Sequence, residues 1–227
     1  MQPYFLPYIG YWQLLNFVDR FVIYDNIQYV KRGWINRNRY LKDGKDTLFS
    51  IPLKKDSDYL DINKRVISDS FSSKKLINIF DFAYKSAPYY LDVLPLLIDI
   101  INISHKNLFR YIYESVILMC SFLDIDSSKI IISSDIEIDH SLRSQDKVLA
   151  ICKKLNAKSY INPIGGTDLY DTKAFENNNI CLKFLESNRI IYNQGYGDFI
   201  ESLSIIDILM YNSKKEINDY LNCYTLV

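Results

Sequence analysis

The chain holds few of the residues that most often carry catalysis. Among its 227 residues are two histidines, four cysteines and seven glycines. Cys120, Cys152, Cys181 and Cys223 are dispersed, with no Cys-x-x-Cys pair and no neighbouring histidine. They read as reduced core residues and not as zinc ligands. No serine sits in a Gly-x-Ser-x-Gly elbow, and no Gly-Lys-Ser/Thr loop is present. These absences remove the hydrolase nucleophile and the P-loop phosphate cradle. His140 is flanked by Asp139 and Ser141, but adjacency in sequence does not make a triad, and His105 falls within a predicted helix. Formal net charge is zero, which argues against bulk nucleic acid as a partner and leaves anion binding to local clusters. No apolar run reaches the roughly 18 residues of a membrane span, and no signal-peptide pattern is read. The longest apolar piece, 93–103, is interrupted by Pro95, Asp99 and Asn102. A cytoplasmic protein without membrane insertion is expected.

What the chain has is tyrosine, in 19 copies, and a 48% hydrophobic content that suffices for one large domain. Aromatic richness at neutral charge suits a site that cradles sugar or nucleobase rings. A codon bias toward Tyr, Ile, Asn and Lys accounts for the excess equally well. Functional information concentrates in residues 1–40, where the apolar residues share no single period. Pro3, Pro7 and Gly10 shape a tight loop in which Gln2, Tyr4, Tyr8 and Tyr11 recur without core logic. Asp25, Gln28, Lys31, Arg32, Trp34, Asn36, Arg37 and Asn38 then crowd polar groups into a short span. Lys31, Arg32 and Arg37 suit a diphosphate, and Trp34, Asn36 and Asn38 suit the faces and hydroxyls of a hexose. A third cluster, Asn162, Gly165, Gly166, Asp168 and Tyr170, follows a predicted strand, and its paired glycines permit close backbone approach. Gln194 joins Ser204 and Asp207 as a further polar group, which a helix cap and an internal contact explain at least as well. The plain alternatives for the other clusters are a Pro-rich turn, a solvated basic face and a simple Gly-Gly loop.

Periodicity places a helix at 9–18, a buried strand at 20–24, and a hairpin of 37–42 with 47–53 around Asp43-Gly44. A strand at 62–67 is expected next. Helices at 72–84, from Pro88 to about 101 and at 104–123 make 72–123 a helical insertion or lid. Strands at 129–133, 159–162 and 180–184 alternate with helices at 143–155 and 172–177. Helices at 203–211 and 213–221 close the chain. This spacing predicts an α/β fold over a single domain, 1–227: a Rossmann-like, mostly parallel sheet with an appended helical unit. Loops that follow parallel strands gather at their carboxyl ends, so 2–11, 25–38 and 162–170 are expected to form one cleft.

The pattern Gln-Pro-x3-Pro-x2-Gly-Tyr, followed by VDRFVIYDN, QY, KRGW and NRN, resembles the WbqC-like family. The resemblance continues through AYKSAPYY, YINPIGG and LSIIDILM, essentially the whole chain. Members are encoded among bacterial O-antigen and other surface-polysaccharide genes, and carry a short apolar strand ahead of the Met-Gln-Pro. Against that pattern, the resemblance implies a displaced start or a truncation, with the first sheet strand missing and its neighbour's edge left open at a cost in stability. The layout is also similar to nucleotidyltransferase-like enzymes with a HIGH signature, pantothenate synthetases among them. Tyr8-Ile9-Gly10-Tyr11 occupies the place of that signature, and Gln28-Tyr29 that of a Gln-aromatic pair. Tyrosine supplies a neutral donor where those enzymes supply an imidazolium, so the fold carries over better than adenylylation does.

Together these resemblances imply an amide-forming acyl or aminoacyl transferase or ligase. Its substrate would be an amino sugar, nucleotide-linked, in surface-polysaccharide and lipopolysaccharide biosynthesis. Asp25 is expected to position or deprotonate the amine, and Tyr8, Tyr11 or Gln28 to donate to the oxyanion. No metal is implied. Activation is expected through ATP or through an already activated acyl or aminoacyl donor, and homo-oligomerisation is left open. The alternative is a non-catalytic sugar-nucleotide or glycan-binding protein, favoured by the lack of a credible His, Cys or Ser nucleophile.

Overall fold

In a computed structural model that describes residues 1–195 and 197–227, α1 (Ile9–Phe17) leaves the proline-rich loop and buries Tyr11, Trp12, Leu14 and Leu15. The chain then enters β1 (Phe21–Ile23), whose ends are buried on either side of a half-buried Val22. The hairpin follows as β2 (Arg37–Lys42) and β3 (Lys45–Ser50), in antiparallel register from Arg37–Ser50 to Lys42–Lys45. Asp43 and Gly44 take φ of 51° and 71°, the paired positive values of a two-residue turn matched to the twist of the strands. That tight turn starts β3 at Lys45, two residues before the apolar alternation suggests. The strand expected at 62–67 is not formed. Ile62–Lys64 is a 3₁₀ turn, and Val66 and Ile67 make only single bridges, to Asn107 and Leu53.

The expected helical unit is α2 (Ser73–Tyr84), α3 (Tyr90–Ile101) and α4 (Leu108–Phe122). Ser72 caps α2 by accepting from the Lys75 N–H, and Asn107 caps α4 by accepting from the Arg110 N–H. The asparagine cap sets the start of α4 later than residue 104. The unit packs into the main core: Phe80 meets Tyr40 and Phe49 edge-on, and Tyr111 meets Phe5 at 5.4 Å. One buried cluster runs from Phe5 through these helices to Leu221, and a second, smaller one gathers Val148, Leu149, Cys152, Phe175 and Ile180.

The last third alternates as β4 (Ile130–Ile132), α5 (Ser144–Lys154), β5 (Ser159–Pro163), α6 (Thr172–Glu176) and β6 (Cys181–Ser187). It closes with α7 (Ile205–Tyr211), α8 (Lys214–Tyr220) and β7 (Tyr224–Leu226). β1 pairs with β4 and β5 with β6, both in parallel, while β7 adds antiparallel to β6. The fold is thus α/β with mostly parallel strands outside the hairpin, but they form two separate pieces where one Rossmann-like sheet was expected. Between β1 and β5 runs a groove of about 760 Å³, walled by Phe21, Val22, Tyr160 and Ile161 and flanked by Leu14 of α1 and Ile151 of α5. Met1 also lines it. The Met1 amine donates to Val22 O at 2.7 Å and the Met1 carbonyl accepts from the Tyr24 N–H at 2.8 Å, the pattern of a parallel bridge to β1. Cys120 and Cys152 are buried as expected, but Cys181, at the outward-facing start of β6, is exposed. Among the described residues no helix is long and apolar enough to cross a membrane.

Candidate functional site

β1 and β4 end side by side, with Ile23 in register with Ile132, so Tyr24-Asp25-Asn26 lies beside Ser133-Ser134. Asp25 is buried with both carboxylate oxygens engaged. Oδ2 accepts from Asn63 Nδ2 at 2.8 Å, and Oδ1 accepts from the Ser134 N–H at 3.0 Å. Asp25 therefore clamps the two strand ends to the 3₁₀ turn. Asn26 beside it is a hub. Its Oδ1 accepts from Ser133 Oγ and from Lys147 Nζ at 3.1 Å, and its backbone carbonyl accepts from the same Nζ at 3.1 Å. Its Nδ2 lies 2.9 Å from His140 Nδ1. An ammonium faces the amide oxygen and not the nitrogen, so Nδ2 is the donor to His140 and the imidazole proton is assigned to Nε2. Lys147 is 5% exposed, with its ammonium 5.6 Å from the centroid of the Tyr24 ring. Burial draws its pKa below the ordinary lysine value; Asp61 and Asp25 oppose that shift and Arg143 reinforces it.

The 2–11 loop divides between surface and core. Tyr4 Oη donates to Gln2 Oε1 at 3.1 Å, and the Pro7 carbonyl accepts from Trp12 Nε1 at 3.2 Å and from the Ile205 N–H at 2.9 Å. The Tyr8 ring lies over Gly10, where an added Cβ would fall 2.5 Å from it. Tyr11 is a core residue. Its ring packs against Tyr4, Trp12 and Phe21, its hydroxyl has no hydrogen-bond partner among the described residues, and burial raises its pKa well above the tyrosine norm. Tyr8 instead lines a cleft of about 520 Å³ with Ser187 and Asn188 at the end of β6, Tyr192 and Phe199. Burial raises the Tyr8 pKa too, which keeps its hydroxyl protonated.

In the 25–38 loop several donors expected to meet a ligand are used internally. Asn36 accepts from Tyr29 Oη at 2.8 Å and donates to Ile51 O at 2.7 Å, while Asn38 donates to Leu6 O at 2.7 Å. Arg37 donates to the carbonyls of Gly33 (3.0 Å) and Arg32, under the Trp34 ring 5.4 Å away. Gln28 donates to Asp58 O at 3.0 Å, and the exposed Lys31 stands 4.0 Å from the Asp58 carboxylate. Arg32 and Trp34 remain exposed. Gln194 is wholly internal: its amide spans Asp207 and both backbone groups of Ile200.

In the 162–170 loop, Tyr160 Oη lies 3.1 Å from Tyr170 Oη and donates to Asn162 Oδ1 at 3.3 Å. Gly165 is exposed with open space around it. Gly166 is buried, and an added Cβ there would fall 1.9 Å from Asn162 Nδ2. Gly166→Ala is expected to swing the Asn162 amide away while lowering stability by only about 1 kcal/mol, because the displaced atom ends a flexible side chain. The Asn162 side-chain amide resonances report the movement; unshifted signals would contradict the packing.

The WbqC-like protein family model matches residues 2–219. The chain belongs to the WbqC-like family. It is similar to the uncharacterized protein Rv1507c of Mycobacterium tuberculosis (strain ATCC 25618 / H37Rv). The two are 27% identical over 224 residues, which cover 97% of this chain and 95% of that protein. No solved structure matches.

In this WbqC-like chain the three expected loops are contiguous but their side chains do not all share one cleft. The first two join through Phe5 N–H to Ile35 O at 2.9 Å, and the third faces the end of β1 across the groove that Tyr24 and Asn162 both line. Gln2, Tyr4, Tyr8 and Asp25 sit near the strand ends, Lys31, Arg32 and Trp34 on an outer loop, and Tyr11, Asn36, Asn38 and Gln194 inside the fold. Asn26, Ser133 and Lys147 lie outside the expected site residues, and His140, which sequence adjacency alone does not make catalytic, joins them at the hub. One signal pointed to Lys147: it shares the inward face of α5 with Val148 and Ile151, where a lysine has no packing reason to be.

Proposed function

We propose that this WbqC-like protein joins an acyl or aminoacyl group to the amine of an amino sugar, presented in nucleotide-linked form, in surface-polysaccharide biosynthesis. The cleft beside Tyr8 carries the reading. At about 520 Å³ it has ligand size, and it opens where α1 begins and β6 ends. Tyr192 and Phe199 meet edge-to-face at 5.1 Å and offer an apolar wall to a sugar ring. Ser187, Asn188 and the Arg189–Glu201 pair (2.7 Å) offer partners to its hydroxyls. Once neutral, the amine attacks the acyl carbon of an activated donor. The C–N bond forms, the bond to the donor's leaving group breaks, and that group departs with the amine's proton, so the reaction needs alignment and a donor to the tetrahedral oxyanion. Of the three donors expected from sequence, Tyr11 is in the core and Gln28 is bound to Asp58 O, which leaves Tyr8.

Incubation with a nucleotide-linked amino sugar and candidate acyl donors, with and without ATP, is expected to give a product of acyl mass. Tyr8→Phe is expected to slow its formation by about a hundredfold while sugar binding survives. A second reading, a non-catalytic sugar-nucleotide or glycan-binding protein, draws on a specific observation: Asp25 has both oxygens engaged and Tyr11 faces the core. Calorimetric binding without a mass gain from any donor selects that reading.

A further inference from the structure

We propose that Lys147, Arg143 and His140 form a site for phosphoryl oxygens at the ends of β1 and β4, and that it holds the diphosphate of the nucleotide-linked sugar. The ligand class rests on the function proposed above; the site itself rests on the Asn26 hub. Lys147 is a lysine only 5% exposed, and its two hydrogen-bond partners are both neutral oxygens of Asn26, at 3.1 Å each. A buried cation normally takes a carboxylate partner, because neutral oxygens replace only part of its lost hydration. Here the carboxylates are spoken for or distant. Asp25 accepts from Asn63 and Ser134, and Asp61 acts on Lys147 only through space, as does the like charge of Arg143. Among the described residues Lys147 makes no ion pair within 4.0 Å.

The geometry leaves directed donors free. An ammonium has three N–H groups; Asn26 takes two, and among the described residues the third meets no oxygen, only the face of the Tyr24 ring. Asn26 Nδ2 also fixes the His140 ring through Nδ1, which turns the assigned Nε2–H away from the hub and into solvent. Arg143 stands at the exposed N-cap of α5, four residues before Lys147, near enough for its charge to act on the Lys147 ammonium. Three donors of different chemistry around one strand end suit an anion with several oxygens, and a diphosphate has more than a carboxylate. Asp25 is buried whereas Arg143 and His140 are exposed, so the anion enters from the Arg143 and His140 side. The basic loop is the weaker host. Arg37 is spent on backbone carbonyls and Lys31 faces Asp58.

Isothermal titration of the full chain with sodium pyrophosphate and with uridine diphosphate tests this. Binding of both is expected, and Lys147→Met, which keeps the buried stem, is expected to weaken it roughly tenfold or more. Arg143→Ala, at an exposed position, should weaken it severalfold with an unchanged thermal midpoint, and it serves where Lys147→Met fails to fold. Pyrophosphate should also shift the His140 imidazole resonances, which a merely structural lysine would not produce. No pyrophosphate binding by the wild type, or equal affinity in Lys147→Met and Arg143→Ala, overturns the site. Anion binding lost in these variants, alongside an absence of acyl transfer by the wild type, keeps the site and discards the reaction. Transfer that survives in Lys147→Met with unaltered anion affinity does the reverse.

Discussion

Asp207→Ala is expected to remove about 3–5 kcal/mol of stability, seen as a fall in thermal midpoint on the order of 10 °C. Asp207 on α7 is fully buried and accepts from Tyr84 Oη at 3.0 Å, Tyr192 Oη at 2.7 Å and Gln194 Nε2 at 2.8 Å. Tyr84 Oη in turn accepts from the Leu41 N–H at 2.9 Å, so one carboxylate ties α7, α2, β2 and the 192–194 segment together. Truncation removes the acceptor of three donors at once, the buried Tyr84 and Gln194 and the half-buried Tyr192, and the buried ones carry the larger desolvation penalty. Burial is the largest influence on the Asp207 pKa and raises it above the ordinary carboxylate value, with its three donors pulling the other way. A raised folded pKa gives stability that is complete below the unfolded value and lost as pH rises through the folded one. The deficit of Asp207→Asn relative to wild type should therefore be widest near the ordinary carboxylate pKa and shrink as pH rises. A deficit that stays constant across pH would show that the carboxyl of Asp207 has the same pKa in the folded and unfolded chain.

Much of this architecture is legible in the sequence, for reasons that are local. Asp43-Gly44 sets the hairpin register because so few residue pairs accept two positive φ values, and Ser72 marks a helix start because its hydroxyl can satisfy the Lys75 N–H. Where tertiary partners decide, sequence reading fails. The 62–67 segment has strand-like residues but spends its backbone on Asp25, Ile27 and Lys106, and β7 is too short to show any period. The candidate site divides along the same line. Tyr8 and Asp25 were visible because loops after strands are where ligands bind, but the composition of 31–38 overstated its ligand-facing capacity. A donor-rich loop needs donors to hold its own carbonyls, and Arg37, Asn36 and Asn38 do that. Lys147 was hidden for the opposite reason: a lysine in a helix reads as solvated, and only its alignment with Val148 and Ile151 says otherwise.

The Met1 amine gives the other large expected effect. Met1 as a residue is partly buried, but its amine is enclosed against β1, and burial lowers its pKa from 8.0 to about 5. Between those values the unfolded chain binds a proton that the folded one does not. Stability should therefore climb as pH rises from about 5 to about 8 and level off above, by at most on the order of 4 kcal/mol. Acetylating the amine removes the charge in both states and should flatten the slope. A fused, extended apolar peptide of about five residues should do more. Running back from Met1 in parallel with β1, it would lie in the groove between β1 and β5, offer their open edges hydrogen-bond partners and cover the apolar walls at Phe21 and Ile161. A Gly-Ser peptide of equal length is the control, since it neutralises the amine without packing. Thermal midpoints across pH 5–8 separate the contributions. A slope that persists after acetylation removes the electrostatic argument. An apolar extension no more stable than the Gly-Ser control would mean that the groove does not accept a strand.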